Sequence, residues 1–468
     1  MKLHNTLTRK SEDFTPLEAK KVKLYTCGLT VYSQPHIGNW VAYIYWDVLV
    51  RTLRASGYEV DHIQNITDVG HLTSDEDAGE DKMLKGALKE GTTAWKVAEK
   101  YIKIADHEAY ELLGLTRPTN MPRATEFIDQ QIAFVEALEE KGYTYVIDDG
   151  VYFDTSKLSD YGKLARLDIE GLQFGARVED TGKKNPTDFA VWKFSDPSEK
   201  RDMEWESKWG TGFPGWHLEC SVMARELLGD QIDIHTGGID HIPVHHTNEI
   251  AQTEAITGKQ FSKFWVHANH IKVNGTKISK SLGNGFTLQD ILDKGYDLEA
   301  LKLMVLGKHY RTEGNFTWEI LDAAQNRLNE LRAWADLRHQ PSTDVMPDEL
   351  DSLFKETREN ILKSVQDDLN TPEALAHLNK LVSYMSSIPI PGVEGKYTDG
   401  TLAFLDSIFG LNLDKRPDIT VEQKQLIKDR EVARQQKDWK KSDELRETLH
   451  QHRLEIKDTP HGPVWSRV

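Results

Sequence analysis

Two short polar runs and four soft or basic side chains hold most of the chemistry open to this sequence. Lys277-Ile278-Ser279-Lys280-Ser281 puts two lysines and two hydroxyls into five residues, between Asn274-Gly275-Thr276 and Leu282-Gly283-Asn284. Such a polycationic loop can neutralise charge building on a leaving pyrophosphate. Alone it fits an exposed polar turn equally well. Pro35-His36-Ile37-Gly38-Asn39 stands between an expected strand and an expected helix. A helix start offers free backbone N–H groups and the positive end of its dipole, which suits a phosphate. Gly38 would let a nucleotide approach the backbone, and His36 could donate to a phosphate oxygen. These few residues by themselves are weak evidence.

The chain has two cysteines, Cys27 and Cys220, 193 positions apart. That separation does not suggest a disulfide framework. Cys220 closes Gly215-Trp216-His217-Leu218-Glu219-Cys220, and His245-His246-Thr247-Asn248-Glu249 follows. His245 and Glu249 are four apart, so a helix puts both on one face. Two thiolates, an imidazole and a carboxylate match the ligand preferences of zinc. Spacing alone does not assemble them. Each cysteine also fits a small buried apolar residue, and an isolated His–Glu pair also fits a solvated helix face.

These residues need elements to position them. Residues 23–27 read as a strand entering a loop. A helical pattern over 39–55 follows, with apolar Val41, Ile44, Tyr45, Val48 and Leu49 three to four apart. Gly57 ends it, and 59–66 reads as the next strand. This is a strand–helix–strand unit of doubly wound type, with a loop and helix start where a ligand would sit. Further helices are expected at 94–112 and 126–141. A hairpin is expected at 143–154, turning at Asp148-Asp149-Gly150. Residues 175–215, rich in Gly, Pro, Lys, Asp and Trp, read as an irregular insertion. Strands are expected at 231–235, before Gly237-Gly238, and at 264–267. Helical patterns dominate from 298, with a break at Pro389 and Pro391. A small basic helical unit covers 421–450, and 453–465 suits a hairpin around Pro460-His461-Gly462-Pro463. The acidic stretch from Asp75 to Asp81 reads as a solvated loop.

At 468 residues, two to four domains are expected. Hydrophobic residues make up 38 % and charged residues 28 %, ordinary for a soluble globular protein. No apolar run is long enough for a membrane span, and the start has no apolar signal-peptide core. A cytoplasmic protein fits best. The net charge of −17 argues against non-specific nucleic-acid binding. The charge is uneven, however: residues 411–468 carry 13 Lys/Arg against 11 Asp/Glu.

Taken together, Pro35-His36-Ile37-Gly38-Asn39 and Lys277-Ile278-Ser279-Lys280-Ser281 resemble the HIGH and KMSKS signatures of class I aminoacyl-tRNA synthetases, in the right order around a Rossmann-like core. Ile278 stands where that pattern has Met, and Asn39 where it has the second His. Thr26-Cys27-Gly28-Leu29-Thr30-Val31-Tyr32, the Gly-Trp-His-Leu-Glu-Cys run at 215–220 and the His-His-x-Asn-Glu-Ile-Ala-Gln run at 245–252 narrow the resemblance to the cysteinyl-tRNA synthetases. So do the runs at 188–193 and 458–465, so the resemblance covers essentially the whole chain. One stretch departs. The family usually continues Asn-x-Thr-Asp with Ile-Asp-Asp-Lys, whereas Val69-Gly70-His71 follow Asp68 here and Lys82 comes later. This reads as an insertion over 69–82.

The resemblance implies a Rossmann-like α/β catalytic domain with a connective insertion, then an α-helical bundle and a small C-terminal domain. Its expected limits are 1–115 and 216–300 for the catalytic halves, 116–215 for the insertion, 301–410 for the tRNA-binding bundle and 411–468 for the anticodon-binding domain. It implies a zinc ion held by Cys27, Cys220, His245 and Glu249, and a cysteine pocket with Thr67 and Trp216. ATP with Mg²⁺ would lie against His36, Gly38, Asn39, Gly237, Lys280 and Asp240, the last near the ribose. Cysteine would be activated to cysteinyl-adenylate and passed to the terminal adenosine of tRNA(Cys). His36, Asn39, Lys277 and Lys280 would stabilise the developing charge, with no protein nucleophile. The family suggests a monomer. A cysteine ligase with an amino-sugar acceptor is the nearest alternative, and a non-enzymatic sensor of cysteine or tRNA another. The 187 residues after Ser281 favour tRNA as the acceptor.

Overall fold

The computed structural model describes residues 1–70, 81–167, 182–196, 198, 201–279, 282–340, 348–387, 395–459 and 462–467. The acidic stretch from Asp75 to Glu80, Lys280 and Ser281, Pro389 and Pro391, and the Pro460-His461 hairpin tip lie outside the described residues. The chain forms two compact units. One is Met1–Lys294 with Tyr310–Asn315; the other is Gly295–His309 with Phe316–Val468.

In the first unit a short antiparallel hairpin, Lys2–Asn5 (β1) and Lys10–Asp13 (β2), precedes Lys21–Thr26 (β3). Val22, Leu24, Tyr25 and Thr26 of β3 are buried. Ile37–Ala55 (α1) crosses to Glu59–Gln64 (β4), which lies parallel to β3. The crossover turns back at Gly57, whose φ of +87° glycine adopts without a steric penalty. Lys82–Glu90 (α2), Ala94–Asp106 (α3) and Ile128–Glu140 (α4) follow. The helix expected at 94–112 is α-helical to Asp106 and then a π-helical turn, His107–Leu112.

Thr144–Ile147 (β5) and Gly150–Phe153 (β6) form the expected hairpin, with Ile147 opposite Gly150. The reading of 175–215 as irregular is corrected here. Phe189–Phe194 (β7) and Gly212–Pro214 (β8) complete an antiparallel sheet in the order β5-β6-β7-β8. Phe189, Ala190, Val191, Trp192 and Lys193 are all buried. A strand covered on both faces loses the polar–apolar alternation that marks strands in sequence. The acidic-loop reading is corrected at Asp81. Its carboxylate caps α2 through the Met83 and Leu84 N–H groups and pairs with buried Arg201 at 2.6 Å.

Trp216–Leu228 (α5), Ile232–Gly238 (β9), His245–Thr257 (α6) and Ser262–Ala268 (β10) build the other half of the parallel sheet, whose order is β10-β9-β3-β4. β3 and β9 are neighbours, with Leu24 beside Ile234 and Thr26 beside Thr236. From β3 the chain crosses outward to β4; from β9 it crosses the opposite way to β10. The crevice beyond the carboxyl ends of β3 and β9 is therefore a topological switch point, where ligands bind in open α/β sheets. The hairpin Ile271–Val273 (β11) and Thr276–Lys277 (β12) and the short helix Leu288–Asp293 (α7) follow.

The second unit is helical: Leu298–Leu306 (α8), Trp318–Asp336 (α9), Asp348–Gln366 (α10), Thr371–Ser387 (α11) and Gly395–Phe409 (α12). Val421–Gln435 (α13), Trp439–Gln451 (α14) and the hairpin Leu454–Thr459 (β13) with Gly462–Arg467 (β14) enclose a core of Ile427, Leu449, Leu454, Ile456 and Trp465. Among the described residues no helix is long and apolar enough to cross a membrane.

Candidate active site

Cys27 leaves the end of β3, and its N–H reaches the Thr236 carbonyl of β9 at 3.3 Å. Cys220 lies in the second turn of α5, while His245 opens α6 and Glu249 lies one turn on. The topology thus brings two distant cysteines to the α6 face that carries His245 and Glu249. One ligand atom from each of Cys27, Cys220, His245 and Glu249 lies within 4.8 Å of the others, and all four residues are buried. A second set, Cys27, His235, His246 and Glu249, overlaps it.

The protonation tendencies of the quartet are interlocked. Burial pushes the Cys27 thiol up, whereas a hydrogen bond from Cys27 lowers Cys220 to about 7. Burial opposes the charge on Glu249, but His235 and His245 outweigh it and hold the carboxyl well below its usual range. Burial disfavours a charged His245 as well, yet the Glu249 carboxylate raises it to about 10. Buried charges persist only when paired or bound to a metal. The donor set of two sulfurs, one imidazole and one carboxylate fits a divalent zinc ion.

Sequence reading missed the histidines behind these four residues. His235 Nε2 lies 2.8 Å from Glu249 Oε2, and His217 Nδ1 lies 3.0 Å from His245 Nδ1. His246 Nε2 is 3.2 Å from Cys27 Sγ, and its Nδ1 is 2.8 Å from His267 Nε2. His267 Nδ1 in turn meets Thr6 Oγ1 at 2.7 Å. The available signal was a histidine within each of two buried parallel strands, at 235 and 267, where apolar residues are the rule.

Beside the quartet opens a cavity of about 450 Å³. Cys27, Gly28, Thr30, His36, Asp240 and Lys277 are among its lining residues, as are Gly38, Asn39 and Gly237. His36 stands at the start of α1. Asn39 Oδ1 accepts from the His36 N–H at 3.0 Å, so asparagine at this position closes the helix start. Ile278 joins the two signature runs: a Cβ on Gly38 would meet Ile278 Cδ1 at 2.8 Å and His36 Cε1 at 3.0 Å. Lys277 is exposed at the end of β12, and Ser279 N–H donates to Asn284 Oδ1 at 2.9 Å. Asp240 is exposed, with His270 at 3.8 Å. Trp216 stacks on His245 with ring centroids 4.4 Å apart. Thr67 is buried, its hydroxyl accepting from Asn65 Nδ2 at 3.0 Å.

Gly28 has no room for a side chain. A Cβ there would lie 1.5 Å from the Asn65 carbonyl oxygen. Gly28→Ala must therefore move backbone next to Cys27, and overpacking of this kind costs about 1–3 kcal/mol. A lower thermal midpoint and weaker metal retention are expected, read by calorimetry and zinc content.

Residues 13–326 match the family profile described as tRNA synthetases class I (C) catalytic domain. Residues 416–465 match that described as cysteinyl-tRNA ligase anticodon binding domain. A cysteine–tRNA ligase 1 of Burkholderia lata is 45 % identical, over 98 % of this chain and 95 % of that protein.

The chain belongs to the cysteinyl-tRNA synthetase family.

A cysteine–tRNA ligase of Treponema denticola is 38 % identical over the full length of both chains. The fold is also that of a solved methionyl-tRNA synthetase from Mycobacterium tuberculosis in complex with methionyl-adenylate, with a TM-score of 0.61 and 14 % identity. The alignment covers 85 % of this chain and 93 % of that one. As a cysteinyl-tRNA synthetase family member the chain is an ATP-dependent ligase, with a class I catalytic domain followed by a helical region.

Proposed function

We propose that this chain activates L-cysteine with ATP to cysteinyl-adenylate and transfers it to the terminal adenosine of tRNA(Cys), with a zinc ion reading the substrate's sulfur. The observation that carries this is the buried quartet Cys27, Cys220, His245 and Glu249, whose ligand atoms lie within 4.8 Å of one another. Cys27 also lines the cavity that holds His36 and Lys277. Zinc held there would take a soft thiolate in preference to a hydroxyl, so that serine is rejected beyond the roughly 10²-fold that a simple pocket achieves.

The chain's own groups have separable tasks. Trp216, which stacks on His245, and buried Thr67 would wall the cysteine pocket. The start of α1 turns its positive end toward the nucleotide phosphates. Gly38, Asn39, Gly237 and Asp240 line the cavity, and Asp240 would meet the ribose. His36 donates to the phosphate oxygens, and Lys277 and Lys280 neutralise the charge that develops as pyrophosphate, carrying Mg²⁺, departs. Residues 116–215 act as the connective insertion, 301–410 as the tRNA-binding bundle and 411–468 as the anticodon-binding domain. The match of 416–465 to an anticodon-binding domain supports a tRNA acceptor over an amino sugar.

Cysteine-dependent ATP–pyrophosphate exchange, followed by charging of tRNA(Cys), tests this reading. Exchange should require cysteine, and cysteine should become bound to tRNA(Cys). Exchange without charging, with the cysteinyl group passing to an amino sugar instead, would overturn it.

A further inference from the structure

The hydrogen bonds behind Cys27 form one continuous buried line. Thr6 Oγ1 meets His267 Nδ1 at 2.7 Å, His267 Nε2 meets His246 Nδ1 at 2.8 Å, and His246 Nε2 meets Cys27 Sγ at 3.2 Å. Thr6 is 6 % exposed, His267 4 %, His246 0 % and Cys27 7 %. Thr6 is itself fixed, because its N–H donates to the Trp265 carbonyl of β10 at 2.8 Å. Neighbouring Asn5 is tied to the same strand, through Nδ2 to the Lys263 carbonyl at 2.9 Å.

We infer that Thr6 completes this chain, its hydroxyl donating to His267 Nδ1 so that His246 can give its Nε2 hydrogen to the Cys27 sulfur and steady the metal centre from behind. This rests on the reading that Cys27 is a metal ligand. A metal-bound thiolate can only accept, so His246 Nε2 carries the hydrogen. A neutral imidazole has one N–H, so His246 Nδ1 is an acceptor. His267 Nε2 must then donate to it, which leaves His267 Nδ1 bare, and the Thr6 hydroxyl is the donor that satisfies it. Every link is used once and in one sense.

This direction belongs to the quartet of Cys27, Cys220, His245 and Glu249, in which His246 is not a ligand and keeps its Nε2 hydrogen. Thr6, His246 and His267 are positioning residues, acting on the metal through Cys27.

The test uses the zinc-loaded full chain as wild type, Thr6→Val, Thr6→Ala, Thr6→Ser and Cys27→Ser. Zinc loss into a chelator is timed, and thermal midpoints are recorded alongside. Outer-shell changes typically weaken metal binding about 10–100-fold. Thr6→Val should therefore lose zinc about 10-fold faster than wild type, while Thr6→Ser, which keeps the hydroxyl, should stay within about twofold. Thr6→Ala, which removes the hydroxyl without adding a methyl group, should repeat the valine result should valine strain the packing. In cobalt-substituted protein, loss of the N–H to sulfur should move the thiolate-to-cobalt absorption to longer wavelength in Thr6→Val or Thr6→Ala and not in Thr6→Ser. Wild-type retention in Thr6→Val and Thr6→Ala, with rapid loss in Cys27→Ser, would overturn the inference and leave the ligand reading standing. Full retention in Cys27→Ser would overturn both.

Discussion

Cys220→Ser is expected to remove bound zinc and cysteine activation together. The substitution changes one atom and little volume, so the fold of α5 should persist, and a fall in thermal midpoint should be limited to the stabilisation that bound zinc supplies. What changes is chemistry: a serine hydroxyl is not ionised at neutral pH and is a hard donor, where the site calls for a soft thiolate. The loss in metal affinity should exceed the roughly 10–100-fold that outer-shell changes produce. Cysteine-dependent pyrophosphate exchange should fall with zinc content. Binding of tRNA(Cys) should persist, since the residues matching the anticodon-binding domain, 416–465, lie in the second compact unit. Zinc is measured by stoichiometry after dialysis, and activation by exchange. Full zinc with normal exchange would remove Cys220 from the site.

The second large effect belongs to the nucleotide side. His36→Ala should slow adenylate formation by about 10²–10³-fold, the usual cost of removing one donor aimed at developing charge. Zinc content should be unchanged. The helix start should also survive, because Asn39 Oδ1 accepts from the backbone N–H of residue 36, which alanine retains. The loss should therefore appear in the rate of the activation step, with the KM for cysteine near wild type. A rate within about twofold of wild type would remove His36 from catalysis.

The contrast between these two variants follows from what was legible in the sequence. The strand–helix–strand unit at β3, α1 and β4 was readable because α1 buries Val41, Ile44, Val48 and Leu49 on a helical period. His245 and Glu249 were readable as one helix face, and α6 presents them so. The union of Cys27 with Cys220 was not readable from spacing, because parallel pairing of β3 with β9 brings together segments some 200 positions apart. The family resemblance supplied that pairing. β7 escaped because, covered on both faces, it shows no alternation and lies among Gly, Pro and charged residues. Asp81 escaped because a carboxylate within an acidic run reads as solvated, whereas its partner, Arg201, is 120 positions away. Thr6 and His267 escaped for a related reason. Their importance lies in which nitrogen carries a hydrogen, a property of the assembled core that no local spacing encodes.

Further histidines surround Glu249 and His245. His235 Nε2 meets Glu249 Oε2 at 2.8 Å, and Glu249 Oε1 lies 2.9 Å from His245 Nε2, so both carboxylate oxygens have a histidine partner. His217 holds the far nitrogen of His245. With zinc held by the quartet, these contacts would orient Glu249 and His245 from behind.

A metal that reads the sulfur of the substrate should respond to it directly, which is tested by titrating cobalt-substituted protein with L-cysteine and, separately, with L-serine while following thiolate-to-cobalt absorption. L-cysteine should add intensity to the band in proportion to occupancy, and L-serine should leave it unchanged. A spectrum unaltered by saturating L-cysteine, in protein that still activates it, would mean that the metal does not bind the substrate's sulfur.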